Sequence, residues 1–142
     1  MKKSNKAGKA SKYDNVLLID DNEIDNFINE RIITTSDFAD HVVVESSGNS
    51  ALDYLKRTLE KEQDLPRIIF LDLNMPVMDG FGFLDEYDKL FQKYPRMKDE
   101  TKVIVLSSSI SPADLDRASK SPYVYKYLNK PLNEKYLEAI NI

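Results

Sequence analysis

The chain contains no cysteine in its 142 residues, which excludes disulfides, thiolate metal sites and cysteine nucleophiles. It lacks any apolar stretch near the ~18 residues needed to span a bilayer. No secretory apolar segment follows the N-terminal lysines, so the cytoplasm is the expected compartment. Histidine is almost missing too: His41 is the only one, which leaves a serine nucleophile without an evident general base. Positive charge is scarce in the body of the chain. Five of the 20 lysines and arginines lie between Met1 and Lys12, where there is no acid; the remainder carries 15 basic against 24 acidic residues. A body this acidic has no basic face for phosphate backbones, so direct nucleic-acid binding is not expected. The lysine-rich start, mixed with Ser, Gly and Ala and without periodicity, reads as a disordered basic tail over residues 1–13. One domain then occupies residues 14–142.

What is present is a regular alternation of short apolar runs and helical patterns. The runs are Val16 to Ile19, His41 to Glu45, Ile68 to Asp72, Lys102 to Leu106 and Tyr123 to Leu128. Their continuous apolar character predicts strands covered on both faces. Between them, Ile24, Phe27, Ile28 and Ile32 fall at helical spacing after an Asn22 cap, and Ala51, Leu52, Leu55 and Leu59 repeat the pattern. A third helix starts near Gly80, carries Phe83, Leu84, Tyr87, Leu90, Phe91 and Tyr94, and must end by Pro95. Ser111-Pro112-Ala113-Asp114 opens a fourth, short helix, and Asn133 caps a fifth with Tyr136, Leu137 and Ile140. Five strands alternating with five helices imply an α/β fold, one parallel sheet wound on both faces. Tyr123, Tyr125 and Tyr127 share strand period and are expected to pack one side of the last strand against a helix.

The strand ends carry the chemistry. The first run stops on Asp20-Asp21, the third on Asp72, the fourth on Ser107-Ser108-Ser109, and the fifth is followed by Lys130-Pro131. In open α/β sheets, residues at the carboxyl ends of strands face the ligand crevice. Asp20 and Asp21 alone read equally well as an acidic helix start. With Asp72 opposite them, carboxylates crowd together at a cost unless a cation lies between. Oxygen ligands alone point to magnesium. Ser108 and Ser109 are ordinary loop residues, whereas Ser107, nearest the strand, can aim its hydroxyl at an oxyanion. Lys130 can neutralise a phosphoryl oxygen, or pair with Asp72 when none is there.

Taken together, Asp20-Asp21, Leu71-Asp72-Leu73-Asn74-Met75-Pro76 with Asp79-Gly80, Ser107 and Lys130-Pro131 resemble the receiver domain of two-component response regulators, from Asn15 onward. The resemblance implies a CheY-like, flavodoxin-like (βα)5 fold with sheet order 2-1-3-4-5, in a single-domain regulator without an output domain. It implies that Asp72 accepts a phosphoryl group from a sensor histidine kinase or histidine phosphotransfer protein. Mg²⁺ would be ligated by Asp21, Asp72 and the Asn74 backbone carbonyl, with Asp20 acting largely through a metal-bound water. Ser107 and Lys130 would contact phosphoryl oxygens, the Lys130–Pro131 peptide would be cis, and Tyr127 would be the aromatic coupled to activation. Such a chain is a phospho-acceptor switch, not an enzyme acting on other substrates. It would signal by protein contacts of the fourth helix, fifth strand and fifth helix, as a monomer or a phosphorylation-linked dimer.

Some residues depart from the family pattern. Serine stands at position 107 where threonine is more usual. The glycine usual before the fifth strand is replaced by Ser121-Pro122-Tyr123, so the shape of that loop is expected to differ. This Pro-Tyr entry and the segment Tyr127 to Pro131 resemble phytochrome-associated regulators. Two alternatives stand beside this reading. A haloacid-dehalogenase-type phosphatase or phosphotransferase wants a second aspartate where this chain has Asn74, and there is no room for a cap domain. A degenerate receiver serving only as a binding module does not need the full Asp/Asp/Asp/Ser/Lys set.

Overall fold

The computed structural model describes residues 11–108 and 111–142. Most of the expected basic tail, and Ser109, lie outside the described residues.

Five parallel strands form one sheet: β1 (Tyr13–Ile19), β2 (Ala39–Glu45), β3 (Ile68–Leu71), β4 (Lys102–Ser107) and β5 (Val124–Asn129), in the order β2-β1-β3-β4-β5. The predicted order is the observed one. β1 begins three residues before Val16, because Lys12 and Tyr13 donate backbone hydrogen bonds to Asp37 and Phe38.

Among the described residues six helices accompany the sheet: α1 (Glu23–Thr35), α2 (Gly48–Glu60), α3 (Gly80–Lys93), α4 (Met97–Glu100), α5 (Pro112–Ser119) and α6 (Glu134–Ala139). The expectation of five helices missed α4, a single turn after Pro95 that buries Met97 completely.

Strand alternation splits the apolar side chains between two cores. Leu17, Ile19, Ile69, Leu71, Val103 and Val105 pack with α2 and α3 on one face. Val16, Leu18, Ile68, Phe70, Ile104 and Leu106 pack on the other, with Ile33 of α1 and Leu137 of α6. All four residues of β3 are fully buried, which is why this strand reads as an unbroken apolar run. Burial of each such side chain contributes roughly 1.5–3 kcal/mol.

The structure corrects the sequence reading in two places. Ile24, Phe27 and Ile28 are 70%, 65% and 45% exposed; α1 buries Asn26, Asn29 and Ile33 instead. The helical period is right but the face is not, because the buried asparagines hydrogen-bond to the functional end of the sheet. The tyrosine trio does not share a face either. The β4–β5 register steps from Val103↔Val124 to Ile104↔Lys126, which leaves Tyr125 as an extra residue in a bulge. Tyr123 and Tyr127 pack against the α3-side core, while Tyr125 is half-exposed and donates its hydroxyl to the Asn141 carbonyl.

Glycine is scarce, and two helix ends show it. Asp37 and Glu62, just past α1 and α2, take the left-handed φ of 58° and 54° usually given to glycine.

Candidate functional site

The carboxyl ends of β1, β3, β4 and β5 lie side by side, and the backbone ladder continues past them. Asp72 donates its N–H to the Ile19 carbonyl at 3.0 Å, Asp20 donates to Glu45 at 3.2 Å, and Lys130 donates to Ser107 at 3.0 Å. These bonds fix the first residue after each strand at the sheet edge, so their side chains meet there although they are far apart in sequence.

Carboxylate oxygens of Asp20, Asp21 and Asp72 come within 4.8 Å of one another. Asp20 and Asp72 are buried and Asp21 is exposed, so the cluster opens to solvent on one side. Lys130 Nζ lies 2.5 Å from Asp20 Oδ2, 2.9 Å from Asp25 Oδ2 and 3.6 Å from Asp72 Oδ1. The last distance is an ion pair too long for a hydrogen bond. Asp72 Oδ1 is consequently buried with no hydrogen-bond partner among the described residues.

The electrostatics follow from this geometry. Burial, and then the neighbouring Asp20 carboxylate, push the Asp72 carboxyl up to about 6, against the opposing pull of Lys130 and the Asn74 N–H. Burial works against the Lys130 ammonium, but its hydrogen bonds to Asp20 and Asp25 outweigh burial and hold its pKa above the ordinary lysine value.

A buried carboxylate oxygen without a donor, in a set of hard oxygen groups, fits a divalent cation such as Ca²⁺, Mn²⁺ or Mg²⁺.

The remaining expected residues sit around this point. Ser107 ends β4 and is fully buried. Tyr127 is half-buried on β5, in register with Val105, two residues before Ser107. Asn74 is exposed in the loop after Asp72, with its N–H toward the Asp72 carboxylate. The Lys130–Pro131 peptide is cis.

Several supporting residues were not singled out in the sequence. Asn26 Nδ2 donates to the Asp20 carbonyl at 2.8 Å, and Asn29 Oδ1 accepts from Leu132 N just past the cis bond at 3.3 Å. Gly80 carries more than a turn. A Cβ there would stand 2.8 Å from the Asp72 carbonyl oxygen and from Leu73 Cα, so α3 can pack onto the Asp72 loop only if this residue lacks a side chain. In the same loop, Val77 is fully exposed at φ 69°, a strained conformation for a β-branched residue. Asp25 lies in the first turn of α1, and nothing in its sequence spacing points to Lys130.

Residues 16–141 match the family model described as the response regulator receiver domain. The chain is 33% identical over 118 residues to a probable methanogenesis regulatory protein, FilR2, of Methanothrix harundinacea, covering 83% of this chain and 72% of that one. It is 31% identical over 123 residues to the response regulator Rcp1 of Synechocystis sp., covering 86% and 80% respectively. Among solved structures, a two-component response regulator from Cytophaga hutchinsonii superposes with TM-score 0.81 at 37% identity, over 89% of this chain and 92% of that one. The Mn²⁺-bound form of Rcp1 superposes with TM-score 0.66 at 28% identity, over 87% and 86%.

Proposed function

Because this chain belongs to the response regulator receiver domain family, a family of phospho-acceptor switches in two-component signalling, we propose that Asp72 is its acceptor and Mg²⁺ its cation. The observation that carries this reading is the buried, donorless Asp72 Oδ1 beside Asp20, Asp21 and Lys130. The family match displaces the phosphatase alternative, and the assembled acidic cluster speaks against a receiver that only binds.

Asp21 and Asp72, with the Asn74 carbonyl, are the expected direct ligands of Mg²⁺, and Asp20 supports them from the buried side. Bound there, the ion supplies charge neutralisation to both the carboxylate and the incoming group. Aligned by the pocket, an Asp72 oxygen attacks phosphorus as the bond to the donor's imidazole nitrogen breaks, leaving an acyl phosphate on Asp72. Lys130 and the Ser107 hydroxyl stabilise the equatorial oxygens, where positioning and charge do most of the work. Hydrolysis of the acyl phosphate returns the carboxylate and ends the signal. Ser107, drawn toward the phosphoryl group, makes room for Tyr127 to turn inward, altering the surface of α5, β5 and α6.

The proposed donor is a histidine kinase or histidine phosphotransfer protein, and the compartment this reading suits is the cytoplasm. The exposed apolar residues Ile24, Phe27 and Ile28 lie on α1, the helix that also carries Asp25, and suit a protein donor. No helix among the described residues is long and apolar enough to cross a membrane.

Incubation with acetyl phosphate and Mg²⁺ tests the assignment. One phosphoryl group per chain is expected by intact-mass spectrometry, and Asp72→Asn should abolish it; undiminished labelling of that variant would move the acceptor elsewhere.

A further inference from the structure

Lys130 is held by a carboxylate that phosphoryl chemistry does not require. Asp20 and Asp72 belong to the acidic cluster, but Asp25 stands outside it on α1. Its orientation has a local cause. Asp25 is the third residue of α1, where an acidic side chain ordinarily turns back onto the backbone N–H of the cap residue. Here that N–H, on Asn22, is already given to Asp20 Oδ1 at 3.0 Å, while Asn22 Oδ1 accepts from Asp25 N at 2.9 Å. The Asp25 carboxylate therefore reaches across the pocket mouth to Lys130 Nζ, 105 residues away in sequence.

We propose that Asp25 is a positioning residue that holds Lys130 toward α1 and competes with a phosphoryl group on Asp72 for the ammonium, weakening the phosphorylated state. The proposal rests on Asp72 being the acceptor. Lys130 lies 2.9 Å from Asp25 and 3.6 Å from Asp72, so the Asp25 bond draws the ammonium toward α1 and away from a group on Asp72. With Asp20 engaged as a metal-site residue, Asp25 is the remaining carboxylate within hydrogen-bond distance of Nζ. The Lys130 side chain is 11% exposed and that of Asp25 36%, so the pair sits at the rim, partly screened and able to exchange. Asp25 also adds a negative charge facing a group that is itself a dianion. Loss of the carboxylate acts in one direction through both effects.

The test measures beryllofluoride affinity at saturating Mg²⁺, by calorimetry, for the wild type, Asp25→Asn and Asp25→Glu. Removing a rim pair worth about 1 kcal/mol corresponds to about five-fold tighter binding by Asp25→Asn. Mg²⁺ affinity measured without beryllofluoride should stay within about two-fold of wild type, since Asp25 is not in the ligand cluster; Asp25→Glu, which keeps the charge, should return beryllofluoride affinity toward wild type. A purely structural role would instead lower the melting temperature and both affinities together, and that result overturns the proposal. Asp25→Gln, with the better helix former, repeats the measurement should Asp25→Asn be poorly folded. Unchanged or weaker beryllofluoride binding by a folded, uncharged variant also overturns it, while leaving Asp72 as acceptor intact. Absence of binding by the wild type itself would remove the acceptor assignment and this proposal with it.

Discussion

Neutralising Asp72 should make the metal-free protein more stable. In the folded chain its carboxyl is pushed up to about 6 from the ordinary 3.8, first by burial and then by Asp20. Between those values the native state holds a proton that the unfolded chain has released, so stability falls as pH rises through the window and levels off above it. A shift of about two units corresponds to about 3 kcal/mol if all of it were expressed. Water reaching the pocket past exposed Asp21 screens part of this, and loss of the Lys130 attraction removes more. A net gain of about 1–2 kcal/mol for Asp72→Asn at pH 7.5 is the expectation, or about 3–6 °C in melting temperature for a domain of this size.

Urea denaturation in EDTA, followed by circular dichroism at pH 7.5 and at pH 4.5, measures it. The gain should be full at pH 7.5 and clearly smaller at pH 4.5, where folded wild-type Asp72 is protonated and ionisation of the unfolded chain has built up only part of the difference. Adding Mg²⁺ should then narrow the gap, because the wild type gains a ligand and the variant gains less. A variant no more stable than wild type at pH 7.5, or a gain equal at both pH values, would refute the reasoning.

Two further substitutions probe the metal site and its scaffold. Asp21→Ala should weaken Mg²⁺ binding at least about ten-fold with little change in metal-free stability, since Asp21 is exposed and contributes mainly as a ligand; a metal titration matching wild type would place the ion elsewhere. Gly80→Ala sets a Cβ 2.8 Å from the backbone of Asp72 and Leu73, which side-chain motion cannot relieve. A loss of about 2 kcal/mol or more in urea unfolding, with slower acetyl phosphate labelling, is expected; wild-type behaviour in both would mean the loop is not held against α3.

The parts of the site that were readable in sequence are those where polarity changes abruptly. Ile68 to Leu71 must be apolar because both faces are covered, so the first charge after them, Asp72, marks the sheet edge. The same logic gave Asp20 and Ser107, whereas Lys130 follows a strand that already carries Lys126 and gains meaning only from lying beside the fourth strand. What sequence reasoning missed depends on partners far along the chain. Asn26 and Asn29 are buried because Asp20 and Leu132 offer them hydrogen bonds, and no periodicity rule turns an apolar stripe such as Ile24, Phe27 and Ile28 toward water. The bulge at Tyr125 arises from pairing with β4, not from the composition of β5. Asp25 carries no signal of its own in sequence, because the competing bond from Asn22 N–H to Asp20 is invisible without the fold.

The balance of charge also orders the events at the site. Asp20, Asp25 and Asp72 approach the one ammonium of Lys130, and Asp21 joins them at the rim. A phosphoryl group carries further negative charge, so it meets repulsion from this pocket until the excess is offset. A divalent cation held by the acidic cluster would supply that offset. Among the described residues Lys130 is the positive side chain at this cluster, and on the proposal above the carboxylate it would give up is Asp25, the most exposed of its partners. On the proposed function, the carboxylates would set where the phosphoryl group goes, and the ammonium would set how firmly it is held.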